Sequence, residues 1–157
     1  MINPATLRTG NVIKVKDQGK WKTAVVSATF PTWIIARNKY AKVGGCYDPN
    51  ELHGAFLSDD WLVENGWKPS PSQSTETSET FVLCFTNENT SGVSLEMTGY
   101  MFQLKMNGTP ILGQFNTMHE LQNRFQLATG QELLSNSSLK ALLALAAPIT
   151  SATNDDE

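Results

Sequence analysis

The chain opens with short alternating runs. In residues 11–16, NVIKVK, Ile13 and Val15 fall on one face of an extended strand and Lys14 and Lys16 on the other. Asp17-Gln18-Gly19 is a turn signal. Residues 21–30 read as a second strand and 32–37 as a third, with Phe30-Pro31 breaking the run between them. Residues 40–51, with Gly44, Gly45, Pro49 and no usable period, read as a loop. Ser58 then opens a short helix. Its hydroxyl suits an N-cap, Asp59 and Asp60 suit the positive end of the helix dipole, and Leu57 is placed to staple against Leu62. Gly66 ends the helix and lets Trp67 pack back on Leu62.

Residues 69–79, PSPSQSTETSE, contain no apolar side chain and read as a flexible connector or long loop. Strand patterns return after it. Phe81, Leu83 and Phe85 share a face, as do Val93, Leu95 and Met97, then Tyr100, Phe102, Leu104 and Met106. Residues 89–92 turn the first pair, and Asn107-Gly108 is the hairpin signal joining 100–106 to 110–115. A helix over 117–129 follows. Thr117 and Glu120 have capping-box spacing, Met118, Leu121, Phe125 and Ala128 form one apolar stripe, and Gly130 supplies the left-handed cap. Glu120, Gln122, Asn123 and Arg124 fall off the stripe. Leu139, Leu142, Leu143 and Ala146 make a second helical stripe, stopped by Pro148, over a segment whose one charge is Lys140. Its apolar surface predicts docking on the core or a contact between copies.

These elements predict an α+β protein. A small N-terminal antiparallel β unit, a meander or SH3-like half-barrel with its short helix, fills 1–68. A connector covers 69–79. A four-stranded antiparallel meander packed by a C-terminal helix and a second apolar helix covers 80–149, and 150–157 is a disordered acidic tail. The two units are expected to be able to form one domain, since 157 residues suffice for a core without staples.

Three motifs in order carry a resemblance: Leu7, Arg8, Gly10, Asn11 and Ile13; Leu57 to Trp67; and His119-Glu-Leu-Gln-Asn123 followed by Ala128-Thr-Gly-Gln-Glu-Leu133. In these the chain resembles a family of small uncharacterised proteins of Bacteroidota-type bacteria, their mobile elements and their phages. That family reads LR-x-GN-x-V, then L(T/S)-x-x-WL-x-x-(N/F)G(W/F), then H-x-LQN-x-(Y/F)-x-x-(A/L)-TG-x-EL. The Ser/Thr-rich segment after Trp67 and the Ala/Leu-rich tail after Ser138 depart from the pattern. The resemblance implies a non-enzymatic accessory protein in the cytoplasm of a bacterial host and brings no established activity with it.

Charge changes the picture more than composition does. Net charge is only −3, yet residues 1–45 carry eight Lys/Arg against Asp17 alone, and 46–100 carry Lys68 against nine acids. Such asymmetry marks an anionic partner, or halves that attract each other, or strand edges guarded by Lys. Cys46 and Cys84 share no metal or redox spacing and fit a reducing compartment. Asn3, Pro4 and Arg8 interrupt any leader-like apolar run, and nothing approaches a membrane span, so no membrane partner is expected.

Catalytic patterns are weak. His53 with Cys46 would be a thiol and its base, a pairing that chance also supplies. His119 lies in the first helical turn, where the dipole opposes imidazolium and a structural role is favoured. Asp59 and Asp60 point apart at a helix start. No phosphate loop, HExxH or Cys/His metal spacing occurs, so no enzyme, metal or cofactor is expected. One constellation combines cations with aromatic rings: Lys14, Lys16, Lys20, Trp21, Lys22, Trp33, Arg37, Lys39 and Tyr40. Bases stack on such rings while Lys and Arg hold phosphates. The competing reading makes Trp21 and Trp33 core residues of the first sheet. The sequence thus leads to a protein that binds an anionic ligand, such as a nucleotide signal withheld from host defence. The alternatives are a nucleic-acid module, or an adaptor or homo-oligomer working through 139–147.

Overall fold

The computed structural model describes residues 2–38, 44–71, 75–76, 81–87 and 89–134. The protein is α+β, with two antiparallel sheets and few helices, as the alternating runs predict. The first sheet contains β1 (Val12–Asp17), β2 (Lys20–Thr29), β3 (Ile34–Asn38), β4 (Gly45–Tyr47) and β5 (Leu52–Gly54), in spatial order β4-β3-β2-β1-β5. Four strands follow one another as a meander. A 3-10 turn at Pro49–Glu51, closed by a reciprocal Asp48/Glu51 capping box, then returns β5 to the free edge of β1. This is the connectivity that the SH3-like expectation requires. β4 and β5 were not readable in the sequence, because three residues are too few to show a period, and β4 lies inside the expected loop.

The inner face of this sheet buries Ile13, Val15, Ala24, Val26, Ile34, Ala36 and Leu52 in one cluster with Ile2 and Leu7. The β1–β2 turn is tight because Gln18 and Gly19 both take positive φ, 50° and 78°, which matches the twist of a two-residue hairpin.

The short helix α1 (Asp59–Glu64) starts as expected, with the Ser58 hydroxyl accepting from Trp61 N–H. The second sheet then runs β6 (Trp67–Pro69), β7 (Thr75–Glu76), β8 (Phe81–Asn87), β9 (Val93–Thr98), β10 (Met101–Met106) and β11 (Thr109–Pro110). Its order is β11-β10-β9-β8-β6, with β7 also pairing on β8. The connector expected over 69–79 is therefore held to the sheet at Pro69 and at Thr75–Glu76. Two expectations are corrected here. Tyr100 is not on the core face: it sits in the β9–β10 turn and is 91% exposed. The strand expected over 110–115 pairs only at Thr109–Pro110 and again at Phe115, because Leu112 takes φ 57° and bulges the chain outward.

Helix α2 (Met118–Thr129) ends at Gly130, whose φ of 71° is the expected left-handed cap. Its stripe serves two sheets. Leu121 and Phe125 pack on Trp67, Phe85, Leu95, Phe102 and Leu104 of the second core. Met118 instead joins Val12, Val25, Ala55 and Leu134, a smaller cluster on the outer face of the first sheet. The capping-box spacing is used differently from the usual pattern: the Thr117 hydroxyl donates to the Glu120 carboxylate at 2.5 Å and caps no backbone N–H. The helical segment expected over 139–147 and the tail over 150–157 lie outside the described residues.

Candidate functional site

Two polar clusters of the first unit compete for a functional role. The first is at the seam with α2. Gln122, expected off the apolar stripe, is 2% exposed. Its side-chain oxygen accepts from Val12 N–H at 2.8 Å and its amide donates to the Gly10 carbonyl at 2.9 Å. Asn123 accepts from Arg8 Nε at 2.7 Å and Asn11 Nδ2 at 3.0 Å, and donates to the Thr6 carbonyl. Arg8 also donates to the Gln122 carbonyl and to Glu132. The N-terminal Arg-x-Gly-Asn motif and the Leu-Gln-Asn motif, more than a hundred residues apart, thus close one network. Every side chain in it is paired, so it holds the fold and offers nothing to a ligand.

The second cluster is the exposed part of the outer face of the first sheet. Directly opposed residues point to the same side. Register pairs Val12 with Val25, Lys14 with Thr23 and His53, Lys16 with Trp21, and Val25 with Arg37. Lys14, Lys16, Trp21, His53 and Arg37 therefore share the face whose apolar end, Val12 and Val25, is covered by Met118 and Leu134. Trp21 is 47% exposed and Phe56 63%, which rejects the core reading for Trp21. The rings form a row: Trp21 meets His53 edge-on at 5.6 Å, and His53 meets Phe56 at 6.0 Å. Lys14 Nζ donates to the Thr23 hydroxyl at 2.8 Å, which holds its ammonium over the sheet.

The remaining cations and rings of the sequence constellation do not join this row. Lys22 opposes Val15, so it points to the inner side, where it pairs with Asp17 at 2.7 Å. Lys14, Lys16 and Lys22 do not form one basic face, because Lys22 is one residue out of phase with Trp21 on its strand. That ion pair holds the Asp17 carboxyl below its ordinary range, first through the Lys22 hydrogen bond. Asn38 also donates to Asp17 and to the Tyr47 hydroxyl, so this end of the inner face is held by a structural polar network. Lys20 opposes Asp17 at the same exposed turn. Trp33 is half-buried and stacks on Phe30 at 3.9 Å, about 30 Å of strand from Trp21. Lys39 and Tyr40 lie outside the described residues. Sequence reasoning had no means of adding His53 and Phe56, since the strand that brings them beside Lys14 is too short to recognise.

The catalytic alternatives separate in space. Cys46 and His53 lie on opposite edge strands of the first sheet. His119 is 6% exposed, its Nδ1 has no partner among the described residues, and burial pushes its pKa down, so it is a neutral ring in the helix start. Among the described residues no three His, Cys, Asp or Glu side chains gather as a metal site, and no helix is long and apolar enough to cross a membrane. No protein-family model, curated protein or solved structure matches the chain.

Proposed function

We propose that this protein is a non-enzymatic binding protein that holds an anionic, base-bearing ligand on the outer face of its first sheet. The observation that carries the reading is the exposed row Trp21–His53–Phe56 beside Lys14 and Lys16. Rings offer stacking surfaces to bases, and the ammonium groups sit where a phosphate backbone would pass. The three rings are exposed in a row beyond the covered apolar end of the face. A short single strand, whose successive bases stack on successive rings, fits it better than a lone nucleotide, which needs a concave site to bury it. The resemblance to accessory proteins of phages and mobile elements supports only the setting, a bacterial cell, in which nucleic acid or a nucleotide signal of host defence would be such a ligand.

Anisotropy titration with labelled oligo-dT, oligo-U and mononucleotides as probes tests the reading. The expected result is saturable binding of the oligonucleotides, with Trp21→Ala weakening it by roughly five- to a hundredfold, the equivalent of one lost stack. Tight mononucleotide binding would replace the strand by a nucleotide. Binding of neither probe would remove the reading.

A further inference from the structure

The ring row of the first sheet ends at a cavity. Phe56, the last ring of the row, also lines a groove of about 570 Å³ together with Tyr100, Met97 and Phe102. Phe102 belongs to the second core and Met97 packs on it, so this part of the lining is anchored. Phe56 is anchored through its backbone, which bridges to Thr117 while Leu57 N–H donates to the Asn116 carbonyl at 3.1 Å. Its ring is 63% exposed all the same, and that of Tyr100, at the β9–β10 turn, is 91% exposed. Two exposed aromatic residues lining one groove are a large apolar area for a small protein to leave to water.

The row and the groove differ in shape and in charge. Lys14 and Lys16 share the face of the row. The groove is concave and falls within the roughly 300–1,000 Å³ of sites that bury a small ligand. Among the described residues its charged lining is Asp59 and Asp60, with no cation. A base can enter such a groove. A phosphate cannot follow it, because it would meet carboxylates in place of ammonium groups. An internal nucleotide has a phosphate on both sides, but a terminal nucleoside has one on a single side. Only the terminal nucleoside can put its base and free sugar hydroxyl into the groove and leave its phosphate on the lysine side. We propose that the Phe56–Tyr100 groove holds the unphosphorylated terminal nucleoside of the bound single strand, so that the protein binds strand ends in preference to strand interiors. This inference rests on the single-strand reading above.

The test uses one internally labelled oligo-dT in four forms: linear with both ends unphosphorylated, closed into a circle, and linear with a phosphate at the 5′ or the 3′ end. The unphosphorylated linear strand should bind more tightly than the circle by roughly five- to a hundredfold, the worth of one further stack. Tyr100→Ala, a change at an exposed turn, should bring the linear strand down to the level of the circle, while Trp21→Ala weakens both. A phosphate on the end that enters the groove should weaken binding by about tenfold, and Asp59→Asn/Asp60→Asn should remove that difference. The end that responds gives the polarity of the strand. Equal binding of circle and linear strand, indifference to a phosphate at either end, or a Tyr100→Ala variant that keeps the preference for ends would each overturn the proposal. If Trp21→Ala still weakened both strands, the reading of the row would stand without it. Failure of the linear strand and the circle alike to bind would remove both.

Discussion

The seam and the outer face draw on the same sheet, and often on neighbouring residues, yet they treat polar side chains in opposite ways. At the seam, Arg8, Asn11, Gln122 and Asn123 saturate one another's donors and acceptors across the junction of the first sheet with α2. On the outer face, Lys14, Lys16, Trp21 and His53 share one side of neighbouring strands; Lys14 makes a single bond to the Thr23 hydroxyl, and Lys16, Trp21 and His53 are exposed. A saturated network specifies structure, because any removed member strands a buried partner. An unsaturated face costs little to change and has capacity left for a ligand. The polar residues of the first and third sequence motifs belong to the first kind, so those two motifs record how the fold closes.

The largest effect should come from the apolar side of the seam helix. Phe125→Ala removes a ring that is 3% exposed and meets Trp67 edge-on, and should destabilise by roughly 3–5 kcal/mol in a denaturant melt. Gln122→Leu keeps the volume but strands Val12 N–H and the Gly10 carbonyl, and should cost about 2–4 kcal/mol. A loss below about 0.5 kcal/mol would mean that the seam does not hold the fold, since that is the size of an ordinary surface change.

Lys22→Glu sharpens the distinction between the two faces of β2. It sets a carboxylate against Asp17 on the inner side and should cost about 1 kcal/mol or more by thermal melt. His119 adds a pH signature. Its folded pKa lies below 6.5, so below that pH the unfolded chain takes a proton that the buried ring refuses. Stability held above pH 6.5 should therefore fall as pH drops through the folded pKa, and His119→Gln should flatten that part of the curve. An unchanged slope in the variant would assign the acid sensitivity to other groups.

How far the sequence could be read depended on the length of each signal. The long alternations at 11–30 and 81–106 and the capped stripe at 117–129 show their period directly, and the structure has strands and a helix there. β4 to β7 and β11 have two or three residues each, too few for periodicity, and their places are set by pairing partners distant in sequence. The site was half readable for the same reason. Lys14, Lys16 and Trp21 belong to long strands, but their alignment on one face depends on the β1–β2 register, and that register turns Lys22, which the sequence constellation included, to the other side. His53 and Phe56 arrive through β5, which gave no signal. Gln122 illustrates the reverse failure. A polar residue off the stripe reads as exposed, and only a backbone donor and acceptor contributed by distant residues let it be buried.

The smallest expected change in stability is attached to the largest expected change in function. Lys14→Glu/Lys16→Glu alters exposed or half-exposed side chains and should shift the melt by within about 0.5 kcal/mol per site. The decisive measurement is a titration of wild type and this double variant with labelled single-stranded oligonucleotide over a range of salt concentrations. Wild type should bind more weakly as salt rises, and the folded double variant should bind far more weakly with a shallower salt slope, having lost its phosphate contacts. Equal affinity and equal slope in a folded double variant would contradict the assignment of ligand binding to the outer face.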